Sequence, residues 1–306
     1  MLAASIGVTL VVLWTSPVGA AVVATQVERA LSFGQAALFG LVEGFTEFLP
    51  ISSTGHLLVL ARLLDVGQHG GQTEDAIKSY EIAIQAGAIL AVLGLYRHRF
   101  AMMVEGLVGR SLDGRRVLVA VLIAFVPAAL VGLVAEKAIK DVLFGVWPVT
   151  VAWFVGGVLI LVFTSNGVLR PRGGFRLEQI RPRHALVIGA AQVLALWPGT
   201  SRSLVTIAAA LLVGFSMAAA VEFSFLLGFV TLSAATAYQV VKDGQTMVDA
   251  FGWVTPIVGL VAAFLAAVAS IRWMVGYLER HDLAIFGWYR IGIAALVALL
   301  VATGAF

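Results

Sequence analysis

Apolar runs of about 20 residues, the length that crosses a bilayer as a helix, recur along this chain. They predict spans at Ala3–Ala24, Tyr80–Tyr96, Val117–Ala135, Val146–Phe163, Met217–Val240, Phe251–Met274 and Ile285–Ala302. Two further apolar stretches, Phe33–Leu64 and Ala185–Val213, are each interrupted midway by a proline and a run of small hydroxyl residues. Irregular backbone at membrane depth is tolerated only where protein buries it or where it lines a polar cavity, so each stretch predicts a re-entrant helix–loop–helix hairpin. The expected fold class is all-α: a polytopic membrane protein.

Composition agrees with that pattern. Of 306 residues, 60% are hydrophobic and 12% charged, and the mean hydropathy is +1.00; a soluble domain carries about 25% charged residues. The chain has no cysteine, which excludes disulfides, thiolate metal sites and a cysteine nucleophile. No basic run interleaved with aromatics suggests nucleic acid.

The arginines bear on orientation. Arg97, Arg99, Arg110, Arg115 and Arg116 fall in one connection and Arg170, Arg172, Arg176, Arg181 and Arg183 in another, and both are expected on the cytoplasmic side. A third basic connection, with Arg280 and Arg290, should share that side. The charge-balanced connections at Glu136–Asp141 and Lys242–Asp249 should face outward. This count closes only if the two broken stretches are re-entrant, the first entering from outside and the second from the cytoplasm. Met1–Ala24 contains no Lys or Arg, so it lacks the basic start of a signal peptide, although "VGAA" resembles a cleavage site. Residues 1–27 are read as a hydrophobic span or signal-like segment and residues 28–306 as one domain. Trp147, Trp253 and Trp288 near span ends read as an interfacial belt.

The two broken stretches resemble each other. "FLPISSTGH" sets beside "LWPGTSRSL", pairing Pro50 with Pro198, Ser52 with Thr200 and Ser53 with Ser201. Each precedes a span with Glu and, six residues on, Gly: Glu81 and Gly87, Glu222 and Gly228. Together with opposite directions of entry, this predicts two inverted-topology repeats whose broken helices meet near the midplane.

The first hairpin carries the densest polar chemistry, "EGFTEFLPISSTGH". Glu43 and Glu47 share a helix face, where like charges repel, and a charge at membrane depth costs roughly 2.5 to 3.5 kcal/mol. A divalent cation, a shared proton or a buried arginine would compensate, and the second hairpin supplies Arg202. Ser52, Ser53 and Thr54 after Pro50, and Gly199, Thr200 and Ser201 after Pro198, predict new helix starts with hydroxyl caps. Free N–H groups there favour an anion, and Arg202 can grip two phosphate oxygens at once. His56 lies one turn beyond Ser53, and a Ser–His pair beside a carboxylate can activate a hydroxyl. Glu81, Gln85 and Glu222 are read as structural.

At these residues the chain resembles the bacterial undecaprenyl-diphosphate phosphatase family of the bacitracin-resistance type, through "EGFTEFLPISSTGHLLV", "ALWPGTSRS", "YEIAIQAGAILAVL" and "AVEFSFLLG". The resemblance implies an inner (plasma) membrane enzyme, its site opening outward, that hydrolyses undecaprenyl diphosphate to the monophosphate and so recycles the carrier for peptidoglycan synthesis. It further implies Ser53 as nucleophile, His56 as an alternative nucleophile or base, Glu47 and Arg202 as catalytic groups, and Ser52, Thr54, Gly199, Thr200, Ser201 and Ser203 around the phosphates. Glu43 and Glu47 would hold a divalent cation, Mg2+ or Ca2+. A polyprenyl diphosphate and membrane lipids are the expected partners, and a homodimer is compatible. The chain departs from the family pattern at "SRSLVT", where Leu204 stands in place of Gly. The span after "EFSFLLG" also lacks a proline common in the family. A rival reading is a carrier of a lipid phosphate or small anion, which would use the same broken helices.

Overall fold

A computed structural model describes residues 31–66, 72–169 and 173–304. The span expected over residues 3–24, the boundary at residue 27, and Arg170 and Arg172 lie outside the described residues. Among those described there is no strand, only an isolated bridge between Phe175 and Phe215. The α-helices are α1 (Phe33–Thr46), α2 (Ser53–Leu63), α3 (Gln72–Leu95), α4 (Arg97–Leu107), α5 (Leu112–Leu143) and α6 (Val146–Ser165). They continue with α7 (Pro182–Gln192), α8 (Arg202–Leu212), α9 (Met217–Phe251), α10 (Val254–Leu278) and α11 (Ala284–Ala302), and two short 3-10 turns, Leu177–Gln179 and Val193–Leu196, flank α7.

Six helices among the described residues are long and apolar enough to cross a membrane: α3, α5, α6, α9, α10 and α11. They coincide with the six apolar runs expected there. The two interrupted stretches instead form helix pairs, α1–α2 and α7–α8, each too short on either side of its break to cross alone. Ser32 opens α1 with a capping box closed by Gln35.

Small residues decide how closely the helices pack. A Cβ at Gly40 would run into the carbonyl of Gly259, and one at Gly44 into that of Ala263 and, at 2.7 Å, the Ala266 methyl. With side chains absent at these points, α1 lies backbone to backbone on α10, the small-xxx-small packing of membrane helices. Ser270 adds a 2.9 Å bond to the Gly44 carbonyl. That seat leaves Glu43, between the two glycines, with 0% exposure.

Two expected connections are helical. Residues 136–141 and 242–249 extend α5 and α9 beyond their apolar portions, and Lys242 meets Glu136 at 3.6 Å. That pair joins a charge from each of the two segments that the sequence marks as loops, and both helices continue through them. The first arginine-rich connection likewise contains α4. From it Arg99 reaches Glu222 of α9 at 2.6 Å and Glu178 at 2.7 Å, fastening the connection to the bundle and giving Glu222 its structural role. Burial disfavours the Glu178 carboxylate, but the hydrogen bonds and charge of Arg99 outweigh it and hold the group below the usual range. Trp147, Trp253 and Trp288 are all exposed near helix starts, as a belt requires.

Candidate active site

The breaks in the two helix pairs face one another. Each ends in a serine with positive φ, Ser52 at 73° and Ser201 at 76°, and the residue after it begins a helix. Among the described residues only Asp65 is another non-glycine with positive φ. A serine held in that region costs about 1 to 3 kcal/mol, so its occurrence at both helix starts marks them as equivalent turns. The equivalence shifts the expected pairing by one residue. Ser52 corresponds to Ser201 rather than to Thr200, Ser53 to Arg202, and Pro50 to Gly199 rather than to Pro198. Gly199 departs from Pro50 in backbone, with φ 92° against the negative φ that a proline ring fixes.

This register explains how the polar groups meet. Ser53 and Arg202, the first residues of α2 and α8, both turn to Glu47. The Ser53 hydroxyl donates a short hydrogen bond to Oε2, and Arg202 Nη2 donates to Oε1 at 3.1 Å. Arg202 Nη1 donates to the Ser224 carbonyl at 3.0 Å, and its guanidinium rests on Phe48, 5.5 Å from the ring centre. A Cβ at Gly228 would occupy the space of that guanidinium, so this glycine is where the arginine fits. Glu47 and Arg202 keep 6% and 10% side-chain exposure and border a cavity of about 180 Å³. Ser52, Ser53, Thr54, Gln85, Gln192, Gly199 and Ser201 line the same cavity.

Of the expected site residues, four stand elsewhere. His56 does not reach Ser53: its Nδ1 donates to the Ser52 carbonyl at 2.6 Å, which in the neutral ring leaves Nε2 to accept from the Tyr289 hydroxyl at 2.8 Å. The ring stacks on Tyr289 and meets Trp153 edge-on. The helical turn that brings residues 53 and 56 near in sequence points the imidazole toward α6 and α11, away from the Ser53 hydroxyl. Ser203 is fully buried, its hydroxyl bonded to the Leu49 carbonyl at 2.9 Å and to Ser201 Oγ at 3.0 Å, so it ties the two breaks together. Thr200 is not among the lining residues. Glu43 lies behind the cavity wall among Glu47, Glu81, Ser53 and Arg202, and neither of its carboxylate oxygens has a hydrogen-bond partner.

Of the two breaks, hydroxyl capping is realised at one. Ser201 Oγ accepts from the Leu204 amide at 3.3 Å, whereas the Ser52 side chain caps nothing. Leu204 itself is buried in the main core, so its substitution for Gly leaves the helix start intact.

Sequence reading missed Arg290 as a site element and placed it with a basic loop. It sits inside α11 with 0% exposure. Nη2 donates to the carbonyls of Ala152 at 2.8 Å and Gly199 at 2.9 Å, and Nη1 to that of Pro50 at 3.4 Å. The available signal was position: Arg290 falls within the apolar run Ile285–Ala302, itself a predicted span, not in the connection before it. Three successive carbonyls of the first break are thereby held from outside: Leu49 by Ser203, Pro50 by Arg290, and Ile51 by the Trp153 indole at 2.7 Å.

The profile of the family described as bacitracin resistance protein BacA matches residues 36–296. The chain belongs to this family. It is a multi-pass membrane protein, in accord with its six apolar spans. It is also 47% identical over 267 residues to the undecaprenyl-diphosphatase of Sorangium cellulosum, covering 87% of this chain and 85% of that protein. Undecaprenyl-diphosphatase 1 of Paraburkholderia xenovorans is 43% identical over 275 residues, or 89% and 96% of the two chains. The match to the undecaprenyl-diphosphatase of Methylococcus capsulatus, 42% identical over 266 residues, covers 86% and 92%. The family matched is the one the motifs of the two helix pairs resemble.

Proposed function

We propose that the chain hydrolyses undecaprenyl diphosphate to undecaprenyl phosphate and inorganic phosphate, recycling the lipid carrier for peptidoglycan synthesis and conferring bacitracin resistance. Family membership and the names of the relatives support the activity. The observation that carries the site is the joint engagement of Glu47 by Ser53 and Arg202, contributed by separate helix pairs to one cavity.

In this reading Ser53 Oγ attacks the terminal phosphorus and its proton passes to Glu47, the carboxylate already bound to it. The bond from that phosphorus to the bridging oxygen breaks, and undecaprenyl phosphate leaves. Water then cleaves the phosphoserine, releasing phosphate and regenerating the hydroxyl. Arg202 neutralises the phosphoryl oxygens as charge redistributes, the dominant form of catalysis in phosphoryl transfer. The Ser52, Ser53 and Thr54 amides and hydroxyls and those around Gly199, Thr200 and Ser201 position the diphosphate. His56 supports this arrangement through the Ser52 carbonyl.

Among the described residues no group of three or more His, Asp or Glu is placed to hold a metal ion. Two carboxylates nevertheless suit Mg2+, which usually takes one or two and completes its shell with water and substrate phosphate. The buried, unpartnered oxygens of Glu43 fit that need. Glu43 and Glu47 would hold the ion, Mg2+ or Ca2+, which would supply added neutralisation of diphosphate charge.

We further read α1–α2 and α7–α8 as re-entrant hairpins of two inverted repeats within a single domain beginning near residue 28. The matched turns at Ser52 and Ser201 and the failure of either pair to span support this. The arginine-rich connections favour a cytoplasmic placement of that face, with the site open to the outer side of the inner membrane. Phosphate release from undecaprenyl diphosphate in detergent, without any gradient, tests the activity: a carrier would release none. Removal of divalent cations with a chelator should lower the rate by at least about 10-fold, restored by Mg2+ or Ca2+.

A further inference from the structure

Arg290 differs from every other arginine described. Among the described residues no carboxylate pairs with it, its guanidinium is wholly buried, and all three of its acceptors are main-chain oxygens. Two of them, Pro50 and Gly199, are equivalent positions: each lies two residues before the positive-φ serine that opens a half-helix. The third, Ala152, belongs to α6, against which α11 packs. One rigid, planar group therefore grips the same point of both turns while anchored to a spanning helix. Space for it is provided on α6, where a Cβ at Gly156 would collide with Nη2 and come within 2.9 Å of Cζ. Arg290 does not line the cavity, and both its terminal nitrogens are spent on carbonyls, while Nε is buried without a partner.

We propose that Arg290 is a positioning residue that fixes the separation and facing of the two helix starts, so that Ser53 and Arg202 address the same phosphate group. This rests on the phosphatase reading above. A guanidinium suits the role because its fork of donors has set angles: two carbonyls bound to one fork cannot drift independently. Such ties matter because a displacement of about 1 Å at a reacting centre can cost on the order of 100-fold in rate.

The test compares Arg290→Met, Arg290→Lys and Gly156→Ala in the full chain. Arg290→Met should lower kcat about 100-fold and leave KM within about threefold, while Arg290→Lys, with charge and donors but no fork, should recover about a tenth of the lost rate. Gly156→Ala keeps the arginine but displaces it, and should lower kcat about 10-fold. Gly276→Ala, where an added methyl meets no atom within 4 Å, serves as the unchanged control. Amide exchange gives a readout separate from catalysis. In Arg290→Met and in Gly156→Ala, peptides covering residues 48–56 and 196–204 should exchange faster together, with α6 and α11 unaltered. Parent-like kcat in both variants, acceleration in one turn alone, or acceleration spread equally over α6 and α11 would overturn the proposal. If Arg290→Met does not fold, Gly156→Ala decides. A parent chain that released no phosphate from the lipid would sink the phosphatase reading, and the paired exchange response would still judge Arg290.

Discussion

The two helix breaks share the serine conformation that opens each half-helix and have opposite chemistry. Ser52 and Ser201 adopt nearly identical φ, and helices start one residue later in each. Counting nine residues back from each serine gives Glu43 in the first and Gln192 in the second; five back gives Glu47 and Leu196. The first helix residue is Ser53 in one and Arg202 in the other. One turn has become acid and hydroxyl, the other an uncharged frame for a cation. The lesson is that an anion site at membrane depth needs both signs near each other, and a duplicated turn can divide them between its copies without altering the positive-φ serine that aims them.

Substitutions that treat the two turns unequally probe this division. The largest expected effect is Ser53→Ala, which should lower phosphate release by at least about 10⁴-fold if this hydroxyl is the nucleophile; Ser52→Ala should cost less than about 10-fold, since that hydroxyl caps no helix amide and is not the attacking group. A properly folded Ser53→Ala enzyme with near-parent turnover would refute the assignment. Next is Arg202→Lys, which retains charge but loses the fork to Glu47 and phosphate. A fall of about 10³-fold in kcat is expected from single-turnover measurements. Glu43→Gln should raise the Mg2+ concentration for half-maximal rate by about 10- to 100-fold, whereas Gln192→Ala should move it less than about threefold. Equal shifts at the two positions would break the proposed asymmetry. The smallest effect concerns folding. Ser52→Gly should stabilise by up to about 1 kcal/mol, because glycine accepts positive φ and no cap is lost. Ser201→Gly should gain less, because it forfeits the 3.3 Å bond to Leu204, and thermal unfolding in detergent would resolve the difference.

Much of this architecture was legible because the membrane imposes simple rules. Six spans follow from apolar length, and the two breaks follow from proline and hydroxyls where a helix ought to continue. The convergence of Glu47, Ser53 and Arg202 was likewise foreseeable from uncompensated charge. Four things were not legible. The exact register of the turns escaped because the prolines stand at different distances from the serines, Pro50 two before Ser52 and Pro198 three before Ser201, so matching the prolines offsets the helix starts by one. The partner of His56 escaped because a one-turn spacing says that two residues are near, not that both side chains point one way, and Tyr289 lies 233 residues away. Arg290 escaped because arginine at a helix end ordinarily signals an interface, and only three-dimensional packing shows which carbonyls surround it. Likewise the charged ends of α5 and α9 read as loops until Lys242 and Glu136 are seen side by side.

The size of the cavity carries one more implication. At about 180 Å³ it is smaller than the roughly 300 to 1,000 Å³ of pockets that enclose a drug-sized molecule, and a long isoprenoid is larger still. Only the head of such a lipid can be weighed by these walls, and its tail has to remain dissolved among neighbouring acyl chains. Discrimination between long and short isoprenoids would then fall to the bilayer, through how each partitions, and a shorter homologue delivered to the same depth should turn over almost as readily.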